Sequence, residues 1–315
     1  MKDRLRYVYG PVRSRRLGRS LGVDLVPYKT CTYDCIYCQL GRTTHHTVER
    51  KEYVPLQDVV AEVAIALEKG CHPDFITLSG SGEPTLHSRI GEVIREIKRQ
   101  TATPVAVLTN GSLLWKPEVR EALREADVVL PSLDAGTKNT FQRVNRPHPD
   151  IAFDRMVQGL MEFRQGFTGQ IWLEVFLLAG VTSLSSQVTR IARLAEGIKP
   201  DRVQLNTVDR PPTEEEALAV PLDELQDLAA LFDPLAEVVC QLGNAFPREG
   251  ADSSTLGILS LVRRRPSTLE DIAEYAALSP NEATKRLRPL RKRQLVTVRR
   301  SGGRVWYVAA GREEG

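Results

Sequence analysis

Cysteine is scarce in this chain, with five in 315 residues, and aromatic residues make up only 6%. So few cysteines exclude a small disulfide-stapled scaffold. Long apolar runs are also missing. The longest, residues 171–181, is interrupted by Glu174 and falls far short of the 18 or more residues a membrane-spanning helix needs. The charged opening Met1-Lys2-Asp3-Arg4-Leu5-Arg6 is followed by no apolar core of a secretory signal. The expectation is a cytoplasmic protein without membrane attachment, whose thiols start out reduced. There is little excess charge of either sign, the formal sum being +3, and the 42% hydrophobic and 26% charged residues are ordinary globular values.

The small net charge hides an asymmetry. From residue 251 onward thirteen cations face seven anions, a balance of +6, which leaves −3 for the first 250 residues. A length of 315 residues exceeds the usual reach of one core. Two domains are therefore expected, 1–250 carrying chemistry and 251–315 meeting an anionic partner.

From about residue 20 to 239, short β-branched runs alternate with amphipathic segments, the pattern of βα units on a parallel sheet. Strands are expected at 21–25, 75–78, 105–108, 128–130, 171–178 and 203–205. Helices are expected at 56–69, 88–100, 117–126, 151–163, 184–197 and 222–231. In such α/β folds sites sit at the C-terminal ends of strands. Those ends carry Cys31 to Cys38, then Ser79-Gly80-Ser81-Gly82-Glu83-Pro84, Thr109-Asn110-Gly111 and Ser132-Leu133-Asp134. Any one of these loops reads as simple turn chemistry. Their coincidence around a cysteine cluster does not.

Cys31-x3-Cys35-x2-Cys38 puts three thiols on one short loop, with Tyr37 just before the last. A four-iron cluster ordinarily takes four thiolates, so three leave one iron open to a non-protein ligand. A zinc site completed by His45 or His46 is the competing reading, although the spacing departs from the usual zinc pattern. Glu174, a carboxylate within an apolar strand, should either face a polar site or meet a cation, and is a further candidate. His72 and His87 read as solvated loop histidines, and Trp115 and Trp172 as packing.

Together these residues resemble the radical S-adenosylmethionine superfamily. Its members carry C-x3-C-x-aromatic-C after the first strand of a partial (β/α)6 barrel, and a Gly-Gly-Glu loop after the second. The segment Ser81-Gly82-Glu83-Pro84 is similar to the latter, with Ser81 in place of the first glycine. The resemblance implies a [4Fe-4S] cluster on Cys31, Cys35 and Cys38. It implies S-adenosylmethionine contacts at Tyr37, Gly80, Ser81, Gly82, Glu83, Asn110, Ser132 and Asp134, to which Glu174 is added as a cofactor-binding candidate from its place in an apolar strand. It also implies reductive cleavage of that cofactor to a 5′-deoxyadenosyl radical, hydrogen abstraction from a substrate, and an electron donor such as a flavodoxin or ferredoxin. Within the superfamily, Tyr9-Gly10-Pro11-Val12-x-Ser14-Arg15-Arg16-Leu17-Gly18 followed by Ser20-Leu21-Gly22-Val23-Asp24 resembles stand-alone proteins related to the wyosine-forming tRNA enzyme. That enzyme holds a second cluster, for which Cys71 and Cys240 are too few.

Between 239 and 255 periodicity gives way to glycine, proline and polar residues, as in a linker, with the boundary near Gly250. A helix follows at 256–264, a second is capped by Thr268, and Ser279-Pro280-Asn281-Glu282 forms a capping box for a third. The alternating run from Leu295, the turn Ser301-Gly302-Gly303 and the return from Arg304 read as a hairpin. Three helices and a hairpin resemble a winged helix. Lys285, Arg286, Arg291, Lys292 and Arg293 on the third helix suit RNA or DNA phosphates, with Arg299, Arg300 and Arg304 on the wing. Pro289 should bend or break that helix. Winged helices of peptide-modifying radical enzymes bind peptides, so a peptide or protein substrate stays open. An iron–sulfur DNA-binding regulator without turnover is the alternative of a different class.

Overall fold

The computed structural model describes residues 5–239 and 253–310; the expected boundary near Gly250, and Cys240, lie outside them. The chain opens with an antiparallel pair, β1 (Val8–Ser14) and β2 (Gly18–Val23). Two short strands, β3 (Thr30–Cys31) and β4 (His45–His46), pair with each other. Then come β5 (Phe75–Leu78), β6 (Val105–Thr109), β7 (Val128–Pro131), β8 (Gln170–Leu177), β9 (Arg202–Thr207) and β10 (Glu237–Val238). The main sheet runs β1-β2-β5-β6-β7-β8-β9-β10 and is parallel from β2 onward.

The crossovers are α1 (Leu56–Glu68), α2 (Ile90–Gln100), α3 (Pro117–Ala122), α4 (Lys138–Val144), α5 (Phe153–Gly166) and α6 (Ser185–Ile198), with α7 (Leu222–Ala229) after β9. In α2, Ile90, Val93, Ile94 and Ile97 fall on one face and are all buried against the sheet. The helix-covered face of β8 presents Ile171, Leu173, Val175 and Leu177 to that core. Its opposite face presents Trp172, Glu174 and Phe176. Trp172 joins a second apolar layer with Leu17, Ala106, Val128 and Leu130, so the alternation leaves Glu174 on the face away from the helices.

All six expected strands form. The added β1 has a polar, glycine- and proline-containing sequence, and β10 is two residues long, so neither carries an apolar run long enough to read. Helix α4, started by Thr137 accepting from the Thr140 N–H, is likewise short and polar on its open side.

The C-terminal residues form α8 (Thr255–Arg264), α9 (Leu269–Tyr275), α10 (Pro280–Lys292) and the hairpin β11 (Val296–Ser301) and β12 (Arg304–Ala309), around a separate apolar cluster that includes Ile258, Ile272, Leu287 and Val296. Both expected caps form, each as a reciprocal capping box. Contrary to expectation, α10 continues through Pro289. The N–H that proline lacks would have met the carbonyl of Lys285, which lies on the solvent side where water can replace it. Two of the three hairpin arginines expected to meet a partner are already engaged: Arg299 Nη1 donates to the Pro212 carbonyl at 3.0 Å, and Arg304 Nη1 lies 3.6 Å from Asp209. Further ties to the sheet are Arg264–Asp24 at 2.6 Å, Arg210–Asp271 at 3.1 Å and Arg13–Glu274 at 3.3 Å.

Candidate functional site

The residues expected to act together do meet at the C-terminal ends of the strands. Cys31, Cys35 and Cys38 are free and only partly exposed. Each sulfur has an ammonium or amide side chain near it: Lys29 Nζ lies 3.2 Å from Cys38 Sγ, Asn110 Nδ2 3.7 Å from Cys31 Sγ, and Asn145 Nδ2 3.7 Å from Cys35 Sγ. Burial holds the Cys31 thiol up at about 11 and pushes Cys35 well above its ordinary value. Burial works against the Lys29 ammonium, but the neighbouring Cys38 and Cys31 sulfurs outweigh it and raise its pKa. Lys29 is 2% exposed and holds a left-handed backbone, φ 55°. Such a conformation in a non-glycine residue points to a constrained site.

Among the described residues, no three His, Cys, Asp or Glu side chains close on one ion-sized point. Zinc needs its ligands about 2.3 Å from a single centre, whereas a cluster lets each thiolate take a different iron. His46 is directed elsewhere, with Nε2 3.0 Å from the Thr32 carbonyl oxygen. Three thiols spaced along one loop, each with a cation or amide donor to offset thiolate charge, fit a cubane cluster with one open iron.

Beside them, Gly80 (φ 119°) and Gly82 have no room for a side chain. A Cβ would sit 2.0 Å from Asp24 Oδ1 at the first and 1.9 Å from the Thr30 oxygen at the second. Ser81, replacing the expected glycine, donates its N–H to Asp24 Oδ1 at 2.7 Å, and its carbonyl accepts from Lys29 N at 2.7 Å. Glu83 is 2% exposed and turned inward. It accepts from Thr85 N at 3.0 Å, Thr109 Oγ1 at 2.7 Å and Asn110 N at 2.7 Å, so it fastens the loop after β5 to the loop after β6. Burial raises its pKa against the pull of those bonds. Asn110 Nδ2 also donates to Thr32 Oγ1 at 2.7 Å.

Tyr37 stacks on Phe176 with centroids 4.1 Å apart and donates its hydroxyl to Asp134. Asp134 further accepts from Asn145 Nδ2 at 2.7 Å and Phe176 N at 3.0 Å. Ser132 bridges to Glu174 on β8. Glu174 meets both alternatives set for it, facing away from the helices and pairing with Arg16 at 2.8 Å and Asn206 Nδ2 at 3.0 Å. Burial disfavours its charge, yet Arg16 prevails and lowers its pKa. His87, expected to be solvated, is fully buried, its Nε2 2.9 Å from the Val54 oxygen, and burial lowers its pKa.

Burial pushes Asp134 up to about 6 despite its three donors. Between about pH 4 and 6 the folded chain therefore keeps a proton that the unfolded chain has released, and rising pH favours unfolding over that window. Asp134→Asn removes this titration. Its stability relative to wild type is expected to improve by about 2–3 kcal/mol between pH 4 and 7. Urea unfolding of cluster-free protein at both pH values measures it, and a pH-independent difference would refute the assignment.

Sequence reading missed Lys29, Asp24 and Asn145. Lys29 lies two residues before Cys31 and Asp24 was within a motif without a role, whereas Asn145 carries no local signal because only folding brings α4's end to the cysteines. Among the described residues no helix is long and apolar enough to cross a membrane.

A parallel α/β sheet with three cysteines at its rim is a known superfamily arrangement, and comparison bears this out. Residues 25–195 match the radical SAM superfamily. A UPF0026 protein of Helicobacter pylori strain J99 is 35% identical over 98% of this chain and 99% of its own. A Brachyspira hyodysenteriae protein named GTPase Obg is 39% identical over 93% of this chain, which spans only 43% of it. A radical SAM methyltransferase from Sphaerobacter thermophilus, 16% identical, shares the fold with a TM-score of 0.53 over 70% of this chain and 64% of its own. The chain belongs to the radical SAM superfamily, and its full-length likeness to the Helicobacter protein places it in the UPF0026 family.

Proposed function

We propose that this protein is a cytoplasmic radical S-adenosylmethionine enzyme. Cys31, Cys35 and Cys38 would ligate a [4Fe-4S] cluster, and residues 1–250 would form a partial (β/α)6 barrel around it. The observation that carries the reading is the set of three thiols on one loop, each facing its own donor, Lys29, Asn110 or Asn145. When bound, the cluster and S-adenosylmethionine supply the electron and the radical precursor. The chain's own residues hold them. Lys29 offsets thiolate charge, Gly80 and Gly82 allow close backbone approach, Glu83 and Asp24 fix that loop, and Tyr37 with Asp134 walls the adenosine side. A flavodoxin or ferredoxin is the expected class of electron donor. Residues 251–315 are read as a winged helix, and the segment 9–24 supports a relation to the wyosine-forming tRNA enzyme.

A nucleic-acid partner is favoured by α10 and its C-cap, where Lys285, Arg286, Arg291, Lys292 and Arg293 are all exposed and form no ion pair among the described residues. Protein reconstituted anaerobically with iron and sulfide, then given S-adenosylmethionine and a strong reductant, is expected to release 5′-deoxyadenosine, and Cys35→Ala is expected to release none above background. A complete, reducible cluster that never cleaves S-adenosylmethionine, even with substrate-containing cell extract, would overturn the reading.

A further inference from the structure

A cleft of about 1000 Å3 opens on the sheet face away from the helices. It starts at Gln39, next to Cys38, and Ser79, which opens the loop carrying Gly80–Glu83. It runs past Ser20 and Thr77 to the C-terminal elements α9 and β12. Its wall holds seven arginines against four carboxylates among the described residues. Most of these arginines have a counter-charge. Arg13 pairs with Glu274, Arg16 with Glu174 and Arg210 with Asp271, while Arg15 and Arg304 share Asp209 at 3.8 and 3.6 Å.

Arg265 differs. Its side chain makes no ion pair among the described residues, and its Nε is buried without a hydrogen-bond partner. Burial and the neighbouring Arg210 bring its pKa down to about 10, and Arg15 also lies within the field of Arg16 and Arg210. Asp271 and Glu274 oppose the Arg265 shift only from beyond ion-pair distance, so a desolvated cation is left without a direct partner, which is costly, and its natural complement is a ligand anion. Planar guanidinium groups with N–H donors to spare suit phosphate oxygens.

We infer that this cleft is the substrate site and that Arg265 receives a phosphate ester, placing the remainder of the molecule toward the cysteine loop. The inference deepens the proposed function by naming the substrate's chemistry, and only the word substrate rests on that reading, because binding is measured without turnover. The phosphate could belong to a small phosphorylated metabolite or to a nucleic-acid chain.

The test is equilibrium binding to the full-length protein, with and without a reconstituted cluster, of ribose 5-phosphate, ribose and a single-stranded RNA octamer. Each is compared in wild type, Arg265→Met and Lys292→Ala. Arg265→Met breaks no internal pair, and its melting temperature is expected to match or exceed that of wild type. Affinity for at least one phosphorylated probe should fall about tenfold or more in Arg265→Met, as for a lost charge-assisted contact. Binding of ribose 5-phosphate but not ribose points to a metabolite. Binding of RNA alone, weakened by Arg265→Met, points to a polynucleotide. If no phosphorylated probe binds, or if Arg265→Met binds as wild type does while only Lys292→Ala loses RNA, the inference is wrong, whatever the outcome of the 5′-deoxyadenosine assay.

Discussion

Replacing Glu83 with alanine is expected to lower the free energy of unfolding by about 3–5 kcal/mol and to remove measurable S-adenosylmethionine binding from the reconstituted protein. Its carboxylate is the common acceptor for Thr85 N, Thr109 Oγ1 and Asn110 N, all in a buried setting. Truncation leaves these donors unsatisfied, each costing about 1–3 kcal/mol, although relaxation recovers part of the sum. Asn110 then loses the backbone anchor that aims its amide at Thr32 and Cys31. Glu83→Gln keeps the volume and one acceptor oxygen but turns an amide NH2 toward donors, so an intermediate loss is expected. Urea unfolding and equilibrium dialysis provide the measurements. A loss below about 1 kcal/mol in Glu83→Ala would mean the loop is held otherwise.

The second large effect is expected at Asp24, which is 6% exposed and serves two parts of the molecule. One oxygen accepts from Ser81 N at 2.7 Å in the loop after β5, and the other from Arg264 Nε at 2.6 Å at the end of α8. Arg264 also lies over the Tyr9 ring and donates to the Arg6 carbonyl. Breaking a mostly buried ion pair by neutralising one member is expected to destabilise by about 3 kcal/mol. Asp24→Asn should therefore unfold more readily and bind S-adenosylmethionine about tenfold more weakly, since an amide oxygen is a poorer acceptor for Ser81 N. Arg264→Met should produce part of the same binding defect from the far side of the pair, and the double variant should lose less than the two singles added. Full additivity would show that the C-terminal elements and the loop after β5 are not coupled.

The order of βα units was legible because buried parallel strands such as Val105 to Leu108 are continuous apolar runs and because α2 repeats its apolar residues at helical spacing. That the three cysteines lie together was legible because eight residues of one loop cannot separate them. The caps at Thr268 and Ser279 were legible because a capping box is closed by residues three apart. In each case the deciding interactions are local in sequence.

What only the tertiary structure decided are the long-range partners. Nothing near Cys35 in sequence announces Asn145, 110 residues away, and nothing near Asp24 announces Arg264 across 240 residues. The hairpin β1–β2, with its undistinguished polar sequence, becomes a wall of the cleft only when Arg13, Arg15 and Arg16 meet carboxylates from distant segments. Local pattern fixes which stretches can bury an apolar face. Which charges find partners, and that the buried Nε of Arg265 finds none among the described residues, depends on how those faces pack together, and no periodicity in the chain encodes that.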